Sequence, residues 1–67
     1  MEISITTDFI KLDQLLKFSG IAENGADAKF MILEGEVSVN GETELKRGRK
    51  IKKGDIVKAG EQIINVC

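Results

Sequence analysis

The spacing of apolar residues changes once along this chain, at Gly35, and that change limits what the chain can fold into. Before Gly35, apolar residues recur every three or four positions, as in helices that pack along one face. After it, Val37 and Val39 alternate with polar residues and lead into Asn40-Gly41, the type of dipeptide best suited to a two-residue hairpin turn. The first half therefore predicts helices and the second half a sheet.

Two helices fit in the first half, preceded by a short strand. Residues 2–6 alternate polar and β-branched apolar side chains, which is the pattern of a half-buried strand. Thr7 or Asp8 can cap the first helix, and Gly20 can end it because glycine tolerates the left-handed conformation common after helices. Asn24 can cap the second helix through its side-chain oxygen.

Further turns are predicted at Gly54-Asp55 and Ala59-Gly60, and they separate short alternating strands. No proline-rich linker or internal repeat interrupts the chain, so we expect residues 1–67 to form one domain. The predicted fold class is α+β, with the element order β-α-α-β-β-β. In this fold two N-terminal helices pack on a small, mostly antiparallel sheet.

The composition gives little support to catalysis or metal binding. The chain has no histidine and one cysteine, Cys67, so it cannot build a His/Cys zinc site or an internal disulfide. No nucleophile–base pair and no carboxylate cluster with metal-binding spacing is recognisable. We therefore expect a protein that is not an enzyme and that uses no metal or cofactor.

Charge is distributed unevenly along a chain whose net charge is only -1. Residues 1–45 carry three lysines against nine carboxylates, a balance of -6. Residues 46–58 carry seven cations against one carboxylate, a balance of +6. Local potential attracts a polyanion even where net charge does not. The basic stretch, residues 46–53, is therefore the candidate binding segment, with arginine forks that match phosphate oxygens and lysines that act as mobile point charges.

Several short motifs in both halves of the chain follow one another at distinctive spacings. They are Lys11-Leu12-Asp13-Gln14-Leu15-Leu16, Gly20, Ala28-Lys29, Ile32, Gly35-Glu36-Val37-Ser38-Val39-Asn40-Gly41 and Gly54-Asp55. Over about residues 8–58 they resemble the S4-type RNA-binding domain, in which two helices lead into a small sheet through a G-x-V-x-V-N-G hairpin. In overall length, and in the G-x-x-A-K sequence of residues 25–29, the chain is most similar to the small stand-alone S4 proteins of the YaaA/YbcJ-like kind.

The resemblance implies RNA binding through the helix pair and the adjoining loop. It also implies that the protein recognises the shape of the RNA more than its base sequence. Lys11 and Lys29 match family positions that are commonly basic, and Arg47, Arg49 and Lys50 match the basic approach to the Gly-Asp turn. Together with the charge pattern, this predicts the following RNA-binding residues: Lys11, Lys29, Lys46, Arg47, Arg49, Lys50, Lys52 and Lys53. Many family members have Ser-Arg where this chain has Asn24-Gly25, so one cationic contact is missing.

The expected partner is structured RNA, either ribosomal RNA or tRNA, and a ribosomal particle during assembly is a suitable setting. Phe9, Phe18 and Phe30 are the only aromatic residues and follow helical spacing, so we expect them in the core. Without an aromatic platform for stacked bases, structured RNA is favoured over single strands. With no apolar run near the roughly 20 residues that span a bilayer, we expect a soluble, cytoplasmic monomer.

Other interpretations of the basic stretch stay open at this point. It is compatible with a solvated edge strand whose lysines prevent aggregation. It is also compatible with a small protein-interaction or carrier module that docks an acidic partner. In a carrier the Cys67 thiol could act as an acceptor, although an unstructured last residue is the simpler interpretation. DNA is a further alternative, because phosphate attraction alone does not discriminate between nucleic acids.

Overall fold

Two helices pack on one face of a five-stranded sheet in the computed structural model, which describes residues 1–67. In chain order the elements are β1 (Glu2–Ile3), β2 (Ile10–Lys11), α1 (Leu12–Phe18), α2 (Gly25–Leu33), β3 (Val37–Val39), β4 (Glu42–Thr43), β5 (Lys50–Ile51), β6 (Ile56–Ala59) and β7 (Gln62–Val66). The sheet order is β1-β7-β6-β3-β4, with β1 parallel to β7 and the other pairs antiparallel. The α+β prediction is confirmed, with the two-residue strands β2, β4 and β5 as additions to the predicted order.

The core lies between the helices and the sheet, and all 15 of its buried residues are apolar. Leu12, Leu15 and Leu16 enter it from α1 and Ile32 enters it from α2, and each of them is fully buried. No polar or charged residue is buried, so burial of apolar surface is the main source of folding free energy.

The three phenylalanines lie at the surface, and the prediction that they pack in the core was wrong. Phe18 and Phe30 expose 71% and 60% of their surface, and Phe9 is also exposed. Phe30 is two residues from the buried Ile32, which places it about 200° further round the helix, away from the core. Phe18 stands in the same relation to Leu16 on α1. Aromatic rings are therefore available on the surface of this protein.

The first helix begins at Leu12, not after Thr7 or Asp8 as predicted. Lys11 occupies the N-cap position and makes no side-chain capping hydrogen bond. Residues 10–11 form β2 and pair with β5, so the chain is extended where the local pattern suggested a helix. A contact between distant segments thus overrides the local capping signal.

The second helix begins as predicted. The Asn24 side-chain oxygen accepts a hydrogen bond from the Asp27 amide at 2.8 Å, and the Asp27 carboxylate accepts one from the Glu23 amide at 3.0 Å. This reciprocal arrangement, similar to a capping box, satisfies amides that a helix start leaves open. Neither helix has the length and apolar character needed to cross a membrane.

The Asn40-Gly41 turn joins β3 to β4, with φ values of 51° and 89° as a type I′ turn requires. The Asn40 side chain also bonds to the start of β6. Its Oδ1 accepts from the Ile56 amide at 2.9 Å, and its Nδ2 donates to Asp55 Oδ1 at 3.0 Å. The other Asp55 oxygen accepts from the Lys52 amide at 2.8 Å. These hydrogen bonds join the Asn40-Gly41 turn to the Gly54-Asp55 turn. Asn40 and Asp55 therefore have a structural role.

The hydrogen bonds to Asp55 predict a specific dependence of stability on pH. The Lys52 amide contributes most to holding the pKa of Asp55 below its ordinary value of 3.8; partial burial opposes this shift and the Asn40 side chain adds to it. A carboxylate with a lowered pKa stabilises the folded state above its unfolded pKa, and this contribution is lost as the pH falls through the folded pKa. The free-energy difference between wild type and Asp55→Asn should therefore shrink below pH 3.8.

Urea unfolding followed by circular dichroism at several pH values measures this difference. Glu44 also has a lowered pKa, mainly because Arg49 donates a hydrogen bond to it, but this contribution is common to both proteins and cancels in the comparison. The matched control is Asp8→Asn, at an exposed aspartate. A difference for Asp55→Asn that stays constant with pH would contradict the role assigned to this carboxylate.

The two ends of the chain pair with each other. The Cys67 amide donates to the Ile3 carbonyl, and the Cys67 carbonyl accepts from the Ile5 amide, both at 2.9 Å. The interpretation of the last residue as unstructured was therefore wrong. The alternation predicted over residues 2–6 holds, since Ile3 and Ile5 are both buried, although the assigned strand is shorter.

Candidate functional site

The basic loop, residues 46–49, lies against the start of α1. The Leu12 amide donates to the Arg49 carbonyl at 2.9 Å, and the Asp13 amide donates to the Arg47 carbonyl at 3.1 Å. These carbonyls satisfy amides that the first turn of a helix leaves open, which explains why α1 needs no side-chain cap. The backbone of the loop is thereby held in place, and its side chains project from a defined position.

Two of the predicted lysines oppose each other across the β2–β5 ladder. Lys11 pairs with Lys50, and Ile10 pairs with Ile51. Because successive residues of a strand point to opposite faces and Ile51 is fully buried, the two lysines face solvent together. Like charges directly opposite each other destabilise a ladder, and a bound anion would remove that cost. This pair is therefore better suited to a ligand than to stability.

The Lys50 ammonium has a second contact near this ladder. Its Nζ lies 4.9 Å from the centroid of the Phe9 ring, within the range of a cation–π interaction. The exposed Phe9 ring thus favours one position for the Lys50 ammonium. Helical spacing gave no sign of this contact, because it predicted Phe9 in the core.

A groove of about 330 Å³ separates α2 from the basic loop. We call it the α2 groove, and its lining residues are Lys29, Ile32, Leu33, Leu45, Lys46, Arg47 and Gly48. Lys29 of α2 therefore meets Lys46 and Arg47, which are 17 and 18 positions later in the chain, around one surface. No carboxylate lines the groove, so nothing within it neutralises these cations. Its electrostatic potential favours an anionic ligand.

Arg49 forms an ion pair with Glu44. Its guanidinium donates to Glu44 Oε1 at 2.6 Å, and the other Glu44 oxygen accepts from the Lys46 amide at 3.3 Å. Glu44 therefore also holds the loop, a role that the residue pattern did not predict. The only signal was one acidic residue just before a run of cations. An exposed ion pair of this kind contributes little to stability, so its main effect is to orient Arg49.

The structure does not bring all eight predicted residues together. Lys52 and Lys53 are exposed in the turn that precedes β6, outside both the α2 groove and the β2–β5 ladder. The remaining predicted residues lie on the loop or on the segments that contact it. The basic surface thus has a centre around Arg47 and a separate pair of lysines at its edge.

Comparison with known proteins identifies a family, two similar proteins and a similar solved structure. The S4 domain family model matches residues 3–67. The chain is 46% identical over 55 residues to "Probable ribosome maturation protein RlbA" of Bacillus subtilis (strain 168), a match that covers 82% of this chain and 78% of that protein. It is 44% identical over 48 residues to "Putative RNA-binding protein YbcJ" of Escherichia coli (strain K12), covering 72% and 69% of the two chains.

Among solved structures, the fold is similar to that of the 30S ribosomal protein S4e from Thermoplasma acidophilum, with a TM-score of 0.65 at 16% identity. The match covers 87% of this chain but only 31% of that protein, so the chain spans about a third of its length. At this level of identity the comparison supports the fold alone.

Proposed function

Because the chain belongs to the S4 domain family, we propose that it is an RNA-binding protein that grips folded RNA with the basic loop and the residues packed beside it. The observation that carries the proposal is the convergence of Lys29, Lys46 and Arg47 around a groove without carboxylates, in a chain of net charge -1. The names of two relatives, one for ribosome maturation and one for RNA binding, agree with this function.

The proposed contacts are mainly to phosphates. Arg47 makes no ion pair, so its whole guanidinium fork is free to bind phosphate oxygens. Lys11 and Lys50 add point charges beside it, and displaced counterions supply a favourable, salt-dependent free energy. Arg49 binds with the part of its guanidinium that Glu44 leaves free. Lys52 and Lys53 extend the surface at its edge.

Structured ribosomal RNA or tRNA is the proposed target, reached in the cytoplasm and in the setting of ribosome assembly. A held loop presents its cations in one geometry, and such an array suits a folded RNA whose phosphates are also held in place. We propose that the protein acts as a non-catalytic monomer, with residues 1–67 as one RNA-binding domain.

The test is binding of the purified protein to a junction fragment of ribosomal RNA, with single-stranded RNA and duplex DNA as controls, across a salt titration. We expect the junction RNA to bind most tightly, with an affinity that falls steeply as salt rises. Equal affinity for all three nucleic acids would remove the preference for folded RNA. No binding at low salt would reject the proposal and favour docking of an acidic protein on the same basic surface.

A further inference from the structure

The α2 groove has an apolar interior that phosphate binding does not explain. Leu33 and Leu45 expose 61% and 57% of their surface on its two sides, and the buried Ile32 forms part of its floor. Leu33 belongs to α2, whereas Leu45 directly precedes the basic loop, so the two leucines come together only in the folded chain. A flat array of cations would bind a phosphate backbone equally well without them.

The residues that line the groove favour two different kinds of ligand group within one small space. The leucines favour an apolar or planar group that leaves water, and Lys29, Lys46 and Arg47 favour negative charge at its rim. The groove volume of about 330 Å³ lies at the small end of the roughly 300–1,000 Å³ range of small-ligand sites. A nucleotide has both parts, a planar base and a charged phosphate joined to it by the sugar.

We propose that the α2 groove binds one unpaired nucleotide of the RNA, with its base between Leu33 and Leu45 and its flanking phosphates on Lys29, Lys46 and Arg47. The proposal rests on the proposed function and names the RNA feature that the site recognises. Bases in a continuous helix are stacked and cannot enter, whereas a bulged base is free to leave the stack. The Arg47 guanidinium can also stack on the base while it binds phosphate.

The experiment compares three RNA hairpins with the same stem: one fully paired, one with a single-nucleotide bulge, and one whose bulged nucleotide lacks its base. The last two carry the same number of phosphates, so a difference between them reports the base alone. We expect the hairpin with the intact bulge to bind at least about fivefold more tightly than the one without the base, because the base and the leucines then leave water together. The salt dependence of the two should be the same, because their phosphate contacts are the same.

Two groove variants and one control locate the effect. Leu33→Gln and Leu45→Ser should each reduce the preference for the intact bulge to less than about twofold, without weakening binding to the fully paired hairpin. Both residues are exposed, so the fold should survive, and circular dichroism checks this. Ile63→Gln removes an exposed apolar side chain from β7, outside the groove, and should keep the full preference.

The outcomes separate this proposal from the proposed function. Equal binding of all three hairpins by the wild type would overturn the nucleotide site while leaving RNA binding intact. A preference that persists in both groove variants would also overturn it, because the base would then bind elsewhere. Failure to bind any of the hairpins, together with no binding of the junction RNA at low salt, would overturn both proposals.

Discussion

Ile32→Ala is expected to lower the free energy of unfolding by about 2 to 4 kcal/mol, because it leaves a cavity where α2 meets the core. Ile32 is fully buried, and it packs in the same cluster as Leu16 and Val57. In a domain below about 70 residues the core rarely supplies more than about 3–5 kcal/mol of net stability. We therefore expect this single change to leave a substantial unfolded population. Urea unfolding followed by circular dichroism measures it.

The neighbouring residue offers a matched control for that prediction. Leu33→Ala deletes a side chain of similar size from the same helix, but its position is exposed, so the loss should stay within about 0.5 kcal/mol. Similar losses for Ile32→Ala and Leu33→Ala would contradict the packing of α2 on the sheet described above.

Arg47→Ala combined with Arg49→Ala is expected to lower the affinity for every RNA by at least about tenfold at low salt. The slope of log affinity against log salt should become shallower by about one to two, which corresponds to the loss of one to two phosphate contacts. The fold should remain intact, because α1 is capped by the backbone carbonyls of these residues and not by their side chains. Fluorescence anisotropy with labelled RNA over a range of salt concentrations measures both quantities.

The chain provides a control of equal charge for this variant. Lys17 and Lys58 are its only cations outside the predicted site, so Lys17→Ala with Lys58→Ala removes the same charge from elsewhere. A comparable loss of affinity from both double variants would show that net charge, and not the basic loop, governs binding. In the opposite direction, Glu44→Gln should raise the affinity, since it removes a carboxylate beside the loop and releases Arg49.

Much of the fold could be predicted because its signals are local. The Asn24 cap needs residues only one to three positions away, and the Asn40-Gly41 turn needs only two residues that tolerate positive φ. The position of Phe30 also lay within reach of the sequence, since residues two apart on a helix point in nearly opposite directions. That prediction was wrong because it rested on helical spacing alone and did not compare the position of Phe30 around the helix with that of Ile32.

Other features depend on contacts across the chain that no local pattern encodes. The start of α1 is set by pairing of residues 10–11 with residues 50–51 and by carbonyls of the basic loop. The ion pair between Arg49 and Glu44 depends on how the chain turns between β4 and β5. Charge counting treated Arg47 and Arg49 as equivalent, whereas the structure gives only one of them an ion pair.

By itself, the sequence determined the division into a helical first half and a β second half, the hairpin, the cap of α2 and the concentration of cations in the basic stretch, because each depends on neighbouring residues or on composition. Only the tertiary structure decided that Lys29 joins Lys46 and Arg47 around a groove, and that Leu33 and Leu45 form its sides. These residues come from a helix and from a loop more than ten positions later in the chain. Their proximity follows from packing of both segments on the shared core, which depends on the whole chain.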